Sequence, residues 1–280
     1  MRFSLNHSIA PLIPIPDFIA LAGEVGVDAV ELRDGMPPGW VFPDSSNVLT
    51  HDPRDIARMA ADAGVEILSI NALQRFDQWD SEREQQARTM IDFAAAAGIG
   101  AVVLCPSVAP VGSPALPTGL PVALDGLQPI LENAGVRGLI EPLGFPRSSI
   151  RTQDVVEAEF SRRGTPSCFG IVHDSFHHAI ARDPLYSTHI TLVHLSGVPN
   201  LGLPLEELGD EHRVLVGPND IVGNIDQVRR LMGVTDGPWS FEPFASEVGE
   251  SPTLAQDLRS SLAYVRDRTA AASPEEEPAV

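Results

Sequence analysis

The chain has 280 residues, 43% of them hydrophobic, enough to bury a large core as one domain of the length typical of a (β/α)₈ barrel. Its formal net charge is −19, from 38 acidic residues against 19 basic ones, and every basic residue is an arginine. That balance opposes binding to polyanions, the missing lysine removes Schiff-base chemistry, and no apolar run approaches the ~20 residues of a bilayer span.

Met1-Arg2 leads directly into a strand-like Phe3-Ser4-Leu5-Asn6, which leaves no room for a signal peptide. From there, short β-like runs alternate with helix-like stretches to the end of the chain, the signature of βαβ units around a parallel sheet. The expected strands begin near Arg2, Asp28, Val65, Ala101, Val136, Cys168, Ile190 and Pro238. Amphipathic stretches between them include Ile56 to Ala63, Glu82 to Ala97, Val155 to Arg163 and Ile225 to Met232. Gly26, Gly64, Gly98 and Gly135 each fall just before a strand, where a left-handed residue ends the preceding helix. Eight strands closing into a barrel is the economical solution. A doubly wound open sheet is the alternative, but no Gly-rich dinucleotide fingerprint follows the first strand.

Long loops are expected at Asp34 to Thr50, Pro106 to Leu120 and Ser196 to Gly223, all on the side where the strands end. Loops of that length at a barrel mouth usually build the pocket. Cys105 and Cys168 lie far apart in unrelated contexts, so no disulfide framework is expected, and the cytoplasm is the expected compartment. Residues 269–280 contain Pro-Glu-Glu-Glu-Pro and read as an acidic tail without fixed structure, leaving 1–268 as the barrel.

Four of the strand-like runs stop on a residue that can bind a metal: Glu141, Asp174, His194 and Glu242. A carboxylate or imidazole that halts an apolar run is costly unless paired or metal-bound. Both glutamates precede proline, which enforces extended geometry and ends the ladder. Each of the four taken alone reads as a solvated strand end. Taken together, on parallel strands whose ends converge, they read as one site. Alternation places Leu139, Val172, Leu192 and Ser240 on the same inner face. Three carboxylates and an imidazole suit one divalent metal ion: Mn²⁺, Co²⁺, Zn²⁺ or Mg²⁺.

Other residues are candidates on weaker grounds. His177, three residues past Asp174, fits a substrate contact better than a helix cap. His173 and His178 should point into packing between barrel and helices. Arg213 in Asp210-Glu211-His212-Arg213-Val214 could fork onto a ligand oxygen, though on spacing alone a surface ion pair competes. Asn71, placed at the end of the third strand, could hydrogen-bond hydroxyls or serve the barrel rim.

At these residues the chain resembles the xylose-isomerase-like TIM-barrel superfamily of sugar isomerases and epimerases, from Met1 to about Arg268. Its nearest branch by resemblance is the inosose (2-keto-myo-inositol) isomerases of inositol catabolism. The resemblance rests on Ile70-Asn71-Ala72-Leu73, Leu139-Ile140-Glu141 with Gly144 and Pro146, Asp174-Ser175-Phe176-His177 and Asp210-Glu211-His212-Arg213-Val214. Val30-Glu31-Leu32-Arg33 is similar too, with less discrimination. The family implies Glu141, Asp174, His194 and Glu242 as metal ligands, Glu141 and Glu242 as the catalytic acid–base pair, and His177 and Arg213 as substrate contacts. It departs from the family at Ser196-Gly197, where relatives are acidic, and at Val216-Gly217-Pro218-Asn219.

The implied reaction is isomerisation of a cyclic polyol ketose through an enediolate, of the type that turns 2-keto-myo-inositol into 1-keto-chiro-inositol. An inosose dehydratase or another ketose 3-epimerase is the alternative on the same fold. A metal-dependent apurinic-site endonuclease is more remote, because the net charge and absent lysines oppose a phosphate groove. The expected partner is thus a small polyol ketose, without nucleic acid or membrane, and a homodimer stays open.

Overall fold

A computed structural model describes residues 1–37, 40–164 and 167–270. The strands are β1 (Phe3–Asn6), β2 (Ala29–Arg33), β3 (Glu66–Gln74), β4 (Ala101–Cys105), β5 (Arg137–Ile140), β6 (Phe169–Asp174), β7 (Ile190–Leu195) and β8 (Trp239–Phe241). They pair in parallel in sequence order, and β8 closes on β1, so the fold is a single-domain (β/α)₈ TIM barrel. The helices between them are α1 (Ile15–Val25), α2 (Pro53–Ala63), α3 (Ser81–Ala97), α4 (Leu120–Ala134), α5 (Gln153–Arg163), α6 (Ser175–Ala181), α7 (Asn224–Leu231), the single turn α8 (Ser246–Gly249) and α9 (Leu254–Ala270).

Helix α2 shows how local sequence sets these elements. Asp52 caps it by accepting hydrogen bonds from the Arg54 and Asp55 amides, and Pro53 begins the first turn, where a missing N–H costs nothing. Ile56 and Ala60, one turn apart, form its buried face against the barrel. It ends at Gly64, whose φ of 70° is left-handed and whose amide bonds back to Ala60 and Ala61. The same stop recurs at Gly26, Gly98 and Gly135, as the sequence predicts. Replacing Ile56, which is fully buried, with Ala would cost about 2–5 kcal/mol.

Two apolar layers follow from parallel strands buried on both faces. The larger lies between strands and helices and includes Leu5, Val30, Ile70, Leu104, Ile140, Ile171, Val193 and Phe241. The smaller fills the barrel: Ala72, Ala101, Val103, Cys105, Leu139, Val172 and Leu192. Leu139, Val172 and Leu192 thus face inward as expected, one pleat below the polar strand ends.

Two boundaries differ from the sequence reading. Strand β3 does not end at Asn71: after a register shift, Leu73 and Gln74 pair with Leu104 and Cys105, which carries it to Gln74. The C-terminal helix runs beyond residue 268 to Ala270, because Thr269 is buried and its hydroxyl bonds back to the Val265 carbonyl. The rest of the expected tail, 271–280, lies outside the described residues. Among the described residues, no helix is long and apolar enough to cross a membrane.

Candidate metal centre

Strand ends supply the site. Glu141 directly follows β5, Asp174 ends β6, His194 lies near the end of β7 and Glu242 follows β8. Parallel registers align Asp174 with His194, and His194 with Ser240 two residues before Glu242. One donor atom from each of Glu141, Asp174, His194 and Glu242 comes within 4.8 Å of all the others, and all four residues are buried. The His194 Nδ1 lies 2.9 Å from Glu141 Oε1 and 3.1 Å from Glu242 Oε2.

A divalent ion fits this donor set. Its three carboxylates and one imidazole are hard-to-borderline ligands at one point. Around them the charge is negative: Glu31, Glu141, Asp174 and Glu242 are buried carboxylates, against the buried guanidiniums of Arg33 and Arg213. A dication in this donor set would bring that balance to neutrality.

Electrostatics separate the members. Burial opposes charge on Glu242, but His194 and Arg213 overcome it and hold the carboxyl well below its usual range. Burial raises Asp174 by more than Arg213 offsets. Burial alone would lower His194, yet the carboxylates of Glu242, Glu31 and Glu141 push it well above an ordinary histidine.

The loop after β7 folds back to deliver Arg213. Antiparallel bridges Gly197–Val214 and Pro199–Asp220 make it a compact flap rather than an open excursion. The Arg213 carbonyl accepts hydrogen bonds from the Phe244 and Ala245 amides at 2.9 and 2.8 Å. Its guanidinium lies 4.7 Å from the Phe244 ring centre and 5.1 Å from that of Phe176. From there Nε donates to Ser196 at 2.9 Å, Nη1 to Asp210 at 3.1 Å, and Nη2 to Asp174 at 2.6 Å and Glu242 at 2.8 Å. Arg213 is therefore neither a surface ion pair nor a free arm in the mouth. Four of the five guanidinium donors are spent within the protein, which leaves one on Nη1 for an incoming oxygen.

His177 is buried in the first turn of α6, where its amide donates to the Asp174 side chain at 2.8 Å. Its ring meets Phe145 edge-on with centres 4.9 Å apart, and among the described residues its Nδ1 has no hydrogen-bond partner. Burial, with help from Arg213, lowers its pKa to about 4, so the ring is neutral near pH 7. Gly144 passes so close to the His177 carbonyl that no Cβ fits there. His173 lies outside this group, held between Gln153 and Gln227 at 2.8 Å each, and its ring is 4.5 Å from that of His178. Both serve packing, as expected.

Asn71 turns its amide toward protein: Nδ2 donates to Glu31 at 2.8 Å and to Ser69 at 3.0 Å. Glu31, Arg33, Asn6 and Cys105 also line the site; the sequence marks Glu31 and Arg33 only as part of a resembling stretch and gives none of the four a role. Arg33 reaches Glu242 at 3.1 Å, Asn6 donates to the same oxygen at 3.1 Å, and the Cys105 thiol lies 3.3 Å from Glu141 Oε2. A signal existed. Glu31 and Arg33 alternate with Val30 and Leu32 inside an apolar strand, the same pattern of inward polar residues that marks the four ligand-type positions.

Comparisons place this architecture among known proteins. The family model described as Xylose isomerase-like TIM barrel matches residues 19–268. A curated 3-dehydroshikimate dehydratase of Pseudomonas aeruginosa is 28% identical over 276 residues, covering 91% of this chain but 40% of that protein. The chain therefore spans well under half the length of that relative. A xylose isomerase domain containing protein of Salmonella typhimurium is 30% identical with a TM-score of 0.82, over 96% of this chain and 97% of the other. The IOLI protein, solved with a zinc atom, is 20% identical with a TM-score of 0.77, over 96% and 98% of the two chains, a likeness of fold.

Proposed function

Because this chain belongs to the xylose isomerase-like TIM barrel family, we propose that it is a metal-dependent enzyme that moves a proton between adjacent carbons of a cyclic polyol ketose. The observation that carries this reading is the convergence of two glutamates, from β5 and β8, on the donor set that also contains Asp174 and His194. The substrate class it fits is an inosose, with 2-keto-myo-inositol giving 1-keto-chiro-inositol. Glu141, Asp174, His194 and Glu242 would hold one ion of Mn²⁺, Co²⁺, Zn²⁺ or Mg²⁺; the solved IOLI relative carries zinc. Such an ion, when bound, supplies Lewis acidity to a ketone and its neighbouring hydroxyl.

The side chains do the rest. One of Glu141 and Glu242 accepts the proton from the carbinol carbon, and the electron pair left behind makes the enediolate. The carboxyl so protonated returns a proton to the former carbonyl carbon, directly on one face or through the other glutamate on the opposite face, while the hydroxyl proton passes to the former carbonyl oxygen. The ketone has then moved by one carbon with no gain or loss of atoms. Arg213 helps hold Glu242 ionised, pairs with Asp174 and offers its remaining N–H to a substrate oxygen. Neutral His177, with Nδ1 unpaired among the described residues, can accept from a hydroxyl. Phe244, Phe176 and Phe145 exclude water around these groups, which strengthens each charge interaction.

Charge favours a neutral substrate. With a dication, the four carboxylates and two guanidiniums cancel, leaving no surplus positive charge for an anion. A second reading is dehydration, favoured by the 28% identity to a 3-dehydroshikimate dehydratase. Removing a proton beside a ketone is also the first half of β-elimination, and the same two glutamates would serve. Incubating metal-loaded protein with 2-keto-myo-inositol and reading the products by NMR separates the two. A shifted ketone of unchanged mass supports isomerisation, and a product lighter by one water supports dehydration.

A further inference from the structure

Glu31 is a carboxylate with no solvent exposure, and among the described residues its one ion-pair partner is a histidine, His194, with no guanidinium in contact. A buried carboxylate in that position is costly unless donors surround it. They do: the Ser69 hydroxyl donates to Oε2 at 2.6 Å, the Asn71 amide to the same oxygen at 2.8 Å, and the Asn6 amide approaches Oε1 at 3.5 Å. The barrel registers that align Asn6 with Glu31, and Glu31 with Ser69, bring these groups together. Ser69 and Asn71 are thus committed to holding one carboxylate in place, and Asn6 shares its amide between Glu31 and Glu242.

What that carboxylate faces is the far side of His194. Nε2 lies 3.1 Å from Glu31 Oε1 and 3.3 Å from Oε2, whereas Nδ1 faces Glu141 and Glu242. A neutral imidazole carries one N–H and one lone pair. Both nitrogens face carboxylates, which can only accept, so each carries a hydrogen in the metal-free protein; an ion held by Glu141, Asp174 and Glu242 would replace the hydrogen on Nδ1 and leave Nε2–H on Glu31. The Nδ1 lone pair is then directed at the point where Glu141, Asp174 and Glu242 converge.

We propose that Glu31 is a positioning residue for the metal centre: it fixes His194 in the Nε2–H tautomer and in ring orientation, so that Nδ1 is the ligating atom. A carboxylate in this place also makes the imidazole a stronger donor to a metal. Ser69 and Asn71 then act through Glu31, which gives Asn71 a role in the metal site rather than on the substrate. The proposal rests on the reading of His194 as a ligand.

The test uses the full chain and two readouts other than turnover. Co²⁺ binding is titrated calorimetrically and by its visible absorption, and the His194 tautomer is read from long-range ¹H–¹⁵N spectra of the Zn²⁺-loaded protein. Wild type should show the Nε2–H tautomer. Glu31→Ala should bind Co²⁺ roughly 10- to 100-fold more weakly and lose that tautomer preference. Glu31→Gln keeps the shape but turns an NH₂ toward donors, and should lose about 10-fold. Should Glu31→Ala fail to fold, the Gln variant decides by the same readouts. Wild-type affinity and tautomer in the Glu31 variants, while His194→Ala loses the metal, would overturn the proposal and leave the metal site standing. Full Co²⁺ affinity in His194→Ala would overturn both.

Discussion

Arg213 Nη2 donates to Glu242 Oε2 at 2.8 Å and so ties the long loop after β7 to the glutamate that follows β8. The same nitrogen reaches Asp174 at 2.6 Å, so one guanidinium spans two of the four converging donors. A residue expected as a substrate contact is thereby part of the electrostatic frame of the site. Its replacement should act on chemistry as well as on binding. Arg213→Ala should lower kcat/KM on a cyclic ketose by about 10- to 150-fold, the worth of ~1.5–3 kcal/mol for a charged hydrogen bond. Arg213→Lys should restore only part of this, because one ammonium cannot also make the bonds to Ser196 and Asp210 that Nε and Nη1 supply. Steady-state kinetics on metal-saturated protein check both, and wild-type kcat/KM in Arg213→Ala would remove Arg213 from the site.

Metal retention should depend on the residues whose donor atoms converge and not on their neighbours. Asp174→Ala and His194→Ala should each lose most bound metal and nearly all turnover, whereas His177→Ala should keep the metal and lose substrate affinity or rate. Metal content by elemental analysis, beside substrate titration, reads this directly. Full occupancy in both of the first two variants would dissolve the proposed centre.

His177 is held by a contact that only glycine permits. A Cβ on Gly144 would overlap the His177 carbonyl, so Gly144→Ala must push the first turn of α6 away from the site. Stability should fall by about 1–3 kcal/mol, as for other overpacked positions. Affinity for the ketose should fall with it, while metal content stays near wild type. Denaturant midpoints and substrate titration together check the pairing. A variant as stable and as tight-binding as wild type would show that the loop yields freely.

Three buried histidines make stability depend on pH. Burial lowers His7 to about 4, His173 to about 3 and His177 to about 4, each from 6.5. The unfolded chain therefore binds more protons than the folded one between pH 6.5 and about 4, and stability falls as pH drops through that window. A shift from 6.5 to about 4 corresponds to about 3 kcal/mol per group when complete. His194 is raised and works in the opposite sense, so the metal-loaded protein, in which that nitrogen is engaged, is the form to use. Its urea midpoint should be lower at pH 5 than at pH 7; an equal or higher midpoint would contradict this.

Much of the barrel and its ligand-type residues could be read from the chain, for a physical reason. Strands buried on both faces must be apolar, so Glu141, Asp174, His194 and Glu242 stand out where each run stops. The left-handed glycines before strands marked the helix ends as clearly. Glu31, Cys105 and Asn6 were harder, since their meaning lies in register. Glu31 matters because β1 and β3 place Asn6 and Ser69 beside it and His194 turns Nε2 to it across the barrel, and sequence spacing carries none of that. Arg213 was legible only as a candidate, because its burial depends on a loop that folds back through two isolated bridges. The end of β3 was misplaced for a related reason: its last residues pair with β4 only after a shift in register.

Hydrogen–deuterium exchange at the carbon beside the ketone of 2-keto-myo-inositol, followed by NMR in D₂O with metal-loaded protein, bears most directly on the proposed chemistry. Wild type should incorporate deuterium, and Glu141→Gln and Glu242→Gln should each slow that incorporation by at least ~10²-fold while keeping the fold. Incorporation at the wild-type rate in either variant would remove that glutamate from proton transfer. Incorporation at the wild-type rate in both would contradict the proposal that this pair of strand-end carboxylates is the acid and base of the reaction.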